Sequence, residues 1–328
     1  MNTTRQFLRA LKNWVLLCGI AWVGIAWVGI VWVGIAAVGV ASCHGEEVIA
    51  GQPLIRPGDR VALLGGTLVE SLQSHGDEEV AVLFEEPSWR IVFRNLGWSG
   101  DDVHGAARRV FGGPSEGYTR LWQDIDKAKP TVAILGYGFA EASNGPGGVA
   151  PFAAGLERLV TDLEARSVRV ILLLPFPLPG VKTPDYAAAI EGCRETGQQL
   201  ARQRNLGVID PAAGMKEGMK EMGGAGFDSS GLRLSRAGQR ELGWILAAGL
   251  LGRPVAEVRR ATTRDRYEQL SARVAEKNAL FFHHYRPMNE TYLFLFRKHE
   301  QGNNAVEVDQ FEPLVQQLEQ ALWAEAAQ

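Results

Sequence analysis

The sequence predicts a three-layer α/β/α sandwich built on a five-stranded parallel sheet, and two observations predict it. Between residues 59 and 252 short apolar runs alternate with longer amphipathic stretches, the pattern of a chain of βαβ units. Helical sequence also separates the five runs from one another, which makes neighbouring strands parallel and covers the sheet on both faces.

The elements follow in order. A polar linker at 44–58 leads into strands expected at 60–64, 90–94, 131–136, 169–174 and 207–210. The helical pattern is clearest at 151–166 and 186–204, with another helix at 235–251 after the last strand. A sheet of this kind places its chemistry at the carboxyl ends of the strands. From residue 253 the alternation stops. Charged helical sequence at 255–277 runs into Phe281-Phe282-His283-His284-Tyr285-Arg286-Pro287-Met288-Asn289-Glu290-Thr291-Tyr292, and an amphipathic helix at 311–326 closes the chain. The 253–328 extension is expected to be a helical lid or clamp on the sandwich, not a second domain.

Residues 1–43 have a different character. Arg5, Arg9 and Lys12 precede an uncharged run from Trp14 to Ser42, which at ~1.5 Å per residue would exceed a ~30 Å hydrocarbon core if helical. A repeated G-I-A-W-V unit places Trp22, Trp27 and Trp32 five residues apart. Five residues turn a helix by ~500°, so these rings spiral round the axis and form no packing stripe. The run ends Val40-Ala41-Ser42-Cys43, which resembles the lipobox of bacterial lipoproteins, with Cys43 as the lipidated residue. An uncleaved transmembrane anchor, a lipid anchor and a cleaved export signal all remain open. Each leaves the positive residues in the cytoplasm and exports the rest to the bacterial envelope, with the membrane as the partner of the N-terminal segment.

Composition excludes some classes. The 46% hydrophobic content belongs to a folded chain, and a net charge of -3 with no recognition motif gives no reason to expect nucleic acid. Cys18, Cys43 and Cys193 are too few and too scattered for a disulfide framework or a thiolate metal site. No cofactor or metal is expected. Cys193 reads as a small buried apolar residue.

The strand ends carry the functional signal. The first runs into Leu64-Gly65-Gly66-Thr67-Leu68-Val69-Glu70, a glycine turn that presents a hydroxyl at the start of a helix. The second ends Asn95-Leu96-Gly97-Trp98-Ser99-Gly100-Asp101-Asp102, and the third ends Gly136-Tyr137-Gly138-Phe139-Ala140-Glu141. A fourth block, Asp228-Ser229-Ser230-Gly231-Leu232-Arg233-Leu234-Ser235, precedes the helix after the last strand. In order and spacing these blocks resemble the SGNH/GDSL hydrolases over about residues 58–250. The resemblance implies ester hydrolysis, of a carbohydrate or an acylated envelope polymer, with Thr67 at the nucleophile position and Gly100 as an oxyanion donor.

The carry-over is uneven. Gly66 stands where that family has aspartate, and Ala140 where it has the asparagine donor. That loss is worth roughly 3–4 kcal/mol of oxyanion stabilisation. Ser230 and Arg233 fall on the family's aspartate and histidine, and an arginine cannot take the hydroxyl proton. An alternative alignment places Asp228 near the site as a displaced carboxylate, with the base then supplied by His75 or His104 of the domain or by His283, His284 or His299 of the extension. Equally, Asp101, Asp102, Tyr137, Glu141, Asp228 and Arg233 are expected to ring the mouth of a cleft and bind a polar ligand such as a sugar. Hydrolysis, non-catalytic binding of an envelope glycan and an interaction role carried by the tail helices all remain open.

Overall fold

The computed structural model describes residues 51–262, 266–295 and 302–328, so the expectations for residues 1–43 lie outside the described residues. Five parallel strands, β1 (Arg60–Gly65), β2 (Val92–Asn95), β3 (Val132–Gly136), β4 (Arg169–Leu173) and β5 (Gly207–Ile209), form one sheet in the order β2-β1-β3-β4-β5. All five stand where the apolar runs predicted them. β2 starts two residues late, because a 3-10 turn at Pro87–Trp89 ends with Arg90 in the left-handed region at φ 52°. Every residue of β3 is buried, as a strand covered on both faces requires.

The domain's helices are α1 (Thr67–Leu72), α2 (Asp77–Glu85), α3 (Pro114–Ala128), α4 (Phe139–Ala142), α5 (Val149–Glu164), α6 (Pro184–Arg204), α7 (Ala212–Glu221) and α8 (Arg236–Leu251). Alternate strand residues feed two cores. Ala62, Leu64, Ala133 and Leu135 pack with α3, α5 and α6, and Val61, Leu63, Val132 and Ile134 pack with α1, α2 and α8. The Cys193 thiol is fully buried on α6, and burial pushes it up to about 12, as expected of an inert apolar residue.

The C-terminal helices are α9 (Val255–Ala261), α10 (Arg266–Tyr285), the short α11 (Glu290–Phe294) and α12 (Phe311–Ala326). The charged stretch expected as one helix at 255–277 is two, and α10 continues through Tyr285 because Phe281 and Tyr285, four residues apart, both bury in the first core. Strand order leaves β2 at the edge of the sheet, and the extension covers it. Lys277 Nζ, fully buried, donates to Glu79 Oε2 at 2.5 Å and to the Phe93 carbonyl at 3.3 Å. Buried Arg94 of β2 pairs with Glu319 of α12, while Tyr267, Leu270, Val274 and Leu322 pack on Val80 and Leu83 of α2. A sheet edge is a hazard when left open, and here it is closed by burying apolar surface and paired charge.

Candidate active site

The chain leaves β1 for β2 on one side and for β3 on the other, so the switch point of the sheet lies above β1 and β3. There Gly65 stands opposite Gly136, and a Cβ on Gly65 would lie 2.5 Å from the Gly136 carbonyl oxygen. This close approach turns the chain sharply into α1, whose first residue is Thr67. Thr67 is exposed, and its Oγ1 accepts the backbone N–H of Gly100 at 3.0 Å. The two residues expected at the catalytic positions are therefore brought together. Gly66 is fitted to its place, since a Cβ there would lie 2.9 Å from the Asp101 carbonyl oxygen.

Three side chains that sequence reasoning missed stand beside them. Glu70, one helical turn after Thr67, accepts hydrogen bonds from Ser99 Oγ and from Arg286, the latter at 2.6 Å. The Arg286 guanidinium lies 3.6 Å from the centre of the Trp98 ring, whose surroundings also include Arg108 at 5.1 Å. Tyr285 donates its hydroxyl to the Gly97 carbonyl at 3.0 Å. The i, i+3 spacing could have flagged Glu70. Nothing local could have flagged Arg286, 216 residues further along the chain.

Of the residues expected at the cleft mouth, Asp101, Glu141 and Tyr137 are buried and Asp102 and Asp228 spend their carboxylates on their own loops, while Arg233 is exposed on a surface turn. Asp101 is 1% exposed and pairs with buried Arg108 at 2.7 Å, while Arg108 also donates to Asp124 and to the Leu96 carbonyl. Burial raises the Asp101 carboxyl above its ordinary value despite that partner. Asp102 caps its own loop, accepting the N–H groups of His104 and Ala106 at 3.0 Å. Glu141 is buried and ties two strand-end loops together by accepting from Val103 N and Gly138 N, each at 2.9 Å. Tyr137 belongs to the core; burial drives its phenol well above the usual range, and its hydroxyl has no partner among the described residues. Ala140 sits on α4 with only a methyl to offer.

The fourth block is a surface turn. Asp228 is exposed and accepts from Ser230 Oγ at 2.6 Å and Ser230 N at 3.1 Å, contacts that hold its carboxyl below the usual range. Ser230 and Arg233 are exposed, and no hydrogen bond among the described residues joins the block to Thr67.

No hydrogen bond among the described residues joins a histidine to Thr67. The His104 imidazole packs over Gly155 of α5, His75 is half-buried between α1 and α2, and His283 meets the Phe311 ring. His284 is buried against the extension near Glu312, and His44 and His299 lie outside the described residues. As a nucleophile the Thr67 hydroxyl needs a base to take its proton, whereas it can hydrogen-bond a ligand without one.

This sandwich, with its strand order and its site at the switch point, is the SGNH/GDSL hydrolase fold, an ester-hydrolase-like architecture. In particular, a gut microbial diltiazem-metabolizing enzyme superposes on 85% of this chain and 97% of its own, at TM-score 0.61 and 11% identity. The acetylxylan esterase Axe2 from Geobacillus stearothermophilus superposes on 60% of this chain and 96% of its own, at TM-score 0.50 and 18% identity. At such identities the likeness is one of fold. No family model and no curated protein matches the sequence.

Proposed function

We propose that this chain is a non-catalytic binding protein of the bacterial envelope that uses an esterase fold to hold an acylated carbohydrate without cleaving it. One observation carries the reading: among the described residues the Thr67 hydroxyl meets the Gly100 amide and no histidine or carboxylate. Without a general base the hydroxyl keeps its proton, and with Ala140 in place of an amide donor the oxyanion has one neighbour fewer. What remains is suited to holding a ligand: an exposed hydroxyl, a free-standing turn at Gly100, and Arg286 against Trp98.

The full chain in detergent is to be assayed on p-nitrophenyl acetate and acetylated xylo-oligosaccharides beside Thr67→Ala and Thr67→Trp. The expected result is no turnover above the Thr67→Ala background, and saturable binding of the acetylated sugar that Thr67→Trp weakens. Turnover that Thr67→Ala abolishes overturns the reading. It would establish the second one, ester hydrolysis with Thr67 as nucleophile, which the 3.0 Å approach of the Gly100 N–H favours. Attachment through residues 1–43 belongs to the same proposal, and mass spectrometry of the mature N-terminus separates a lipidated Cys43 from an uncleaved segment.

A further inference from the structure

We propose a second binding site, for a small zwitterion that carries an ammonium at one end and an oxyanion at the other. It lies where β1 begins, at the opposite end of the strand from Thr67. A cavity of about 520 Å³ opens there between the end of α3 and the C-terminal extension, within the range of roughly 300–1,000 Å³ that small-molecule sites occupy.

Its walls carry opposite charge. Arg60, Lys127 and Lys129 line one side, and Asp309, Glu312 and His284 line the other. The Arg60 guanidinium is fixed by two hydrogen bonds to the Ala128 carbonyl, at 3.1 and 3.3 Å. Lys127 and Lys129 are exposed and make no ion pair among the described residues. Burial pushes the Glu312 carboxyl up, but His284, the Gln316 amide and Arg94 outweigh it and hold the group at about 2, so that it is an anion at neutral pH. Glu312 is itself paired with Arg94 at 3.5 Å, but no ion pair among the described residues crosses from one wall to the other, so the lysines and the carboxylates face each other across a gap.

A buried donor or acceptor points to an occupant. His284 is 9% exposed and lines the cavity, and its Nδ1 has no hydrogen-bond partner among the described residues. The imidazole stands between two carboxylates, Nδ1 at 3.6 Å from Glu312 Oε2 and Nε2 at 3.7 Å from Asp309 Oδ1, both beyond hydrogen-bond reach. Leaving such an atom unsatisfied costs free energy that a polar ligand would recover. A ligand of one sign would meet repulsion from the far wall, whereas a zwitterion satisfies both.

The test uses the full chain in detergent and calorimetric titration with O-phosphoethanolamine, with inorganic phosphate and ethanolamine as its two halves. The complete zwitterion is expected to bind at least about tenfold more tightly than either half. Lys127→Gln combined with Lys129→Asn should weaken it by about tenfold or more without changing the melting temperature. Both lysines are exposed, and asparagine tolerates the left-handed backbone at position 129 (φ 48°). Glu312→Gln should weaken the zwitterion while leaving the binding of inorganic phosphate unchanged or stronger. Equal affinity for inorganic phosphate, no saturable binding of O-phosphoethanolamine, or full binding by the lysine double variant would each overturn the proposal.

Discussion

Gly100 directs its backbone N–H at the Thr67 hydroxyl across 3.0 Å. Among the described residues no hydrogen bond joins that hydroxyl to a histidine or a carboxylate, and the proposed non-catalytic role rests on this. Thr67→Ala is therefore expected to leave esterase readings at background. Thr67 is exposed, so the change in unfolding free energy should stay within about 0.5 kcal/mol by urea titration.

Restoring the family's aspartate next to it should harm the fold. The Cβ of Gly66→Asp would stand 2.9 Å from the Asp101 carbonyl, a backbone atom that moves only with its loop. A loss of roughly 1–3 kcal/mol is expected, the usual cost of overpacking, together with altered near-ultraviolet circular dichroism from neighbouring Trp98. Unchanged stability would show that the loop yields freely.

The clasp between Lys277 and Glu79 is fully buried, and a buried charge left alone is costly. Lys277→Ala strands the Glu79 carboxylate and removes its bond to the Phe93 carbonyl. A loss of about 3–5 kcal/mol is expected in chemical denaturation, and the double variant Lys277→Met/Glu79→Leu should recover much of it. Equal loss in both variants would place the effect in packing alone.

Glu78 supplies a pH dependence. It is fully buried on α2, and burial, helped by Asp77 and Glu79 nearby, raises its carboxyl to about 8. The raised value means that the folded protein binds a proton which the unfolded chain releases above its ordinary carboxyl range. Stability is then fully present below about pH 4.5 and is lost as pH rises towards about 8. The span amounts to roughly 4–5 kcal/mol for this group. Glu78→Gln should flatten that slope, gaining on the native chain at pH 8 relative to pH 5 in urea titrations. A slope that survives the substitution would assign the titration to another group.

Tyr285 joins the extension to the site loop through one hydrogen bond, to the Gly97 carbonyl. Tyr285→Phe leaves that buried acceptor unsatisfied, at a cost of about 1–3 kcal/mol. Hydrogen exchange should quicken in the loop at 97–101 more than in β3. Uniform acceleration over the whole sheet would argue against a local role.

The strands show what the sequence by itself determined. Apolar runs such as Val61–Leu64 bury on both faces whatever surrounds them, so their positions and parallel sense were legible, and with them the turn that carries Thr67, while the approach of Gly100 was implied only by the resemblance to the SGNH/GDSL hydrolases. What only the tertiary structure decided was which polar groups are free. Asp101 and Glu141 look like ligand contacts in the sequence, but Arg108 and two loop amides consume them, because a carboxylate shut away from water must find donors. Arg286, Tyr285 and His284 come from far along the chain, and no local pattern signals where a distant helix will dock. Long-range packing sets that, and here it sets both the wall beside Thr67 and the two-signed cavity at the other end of β1.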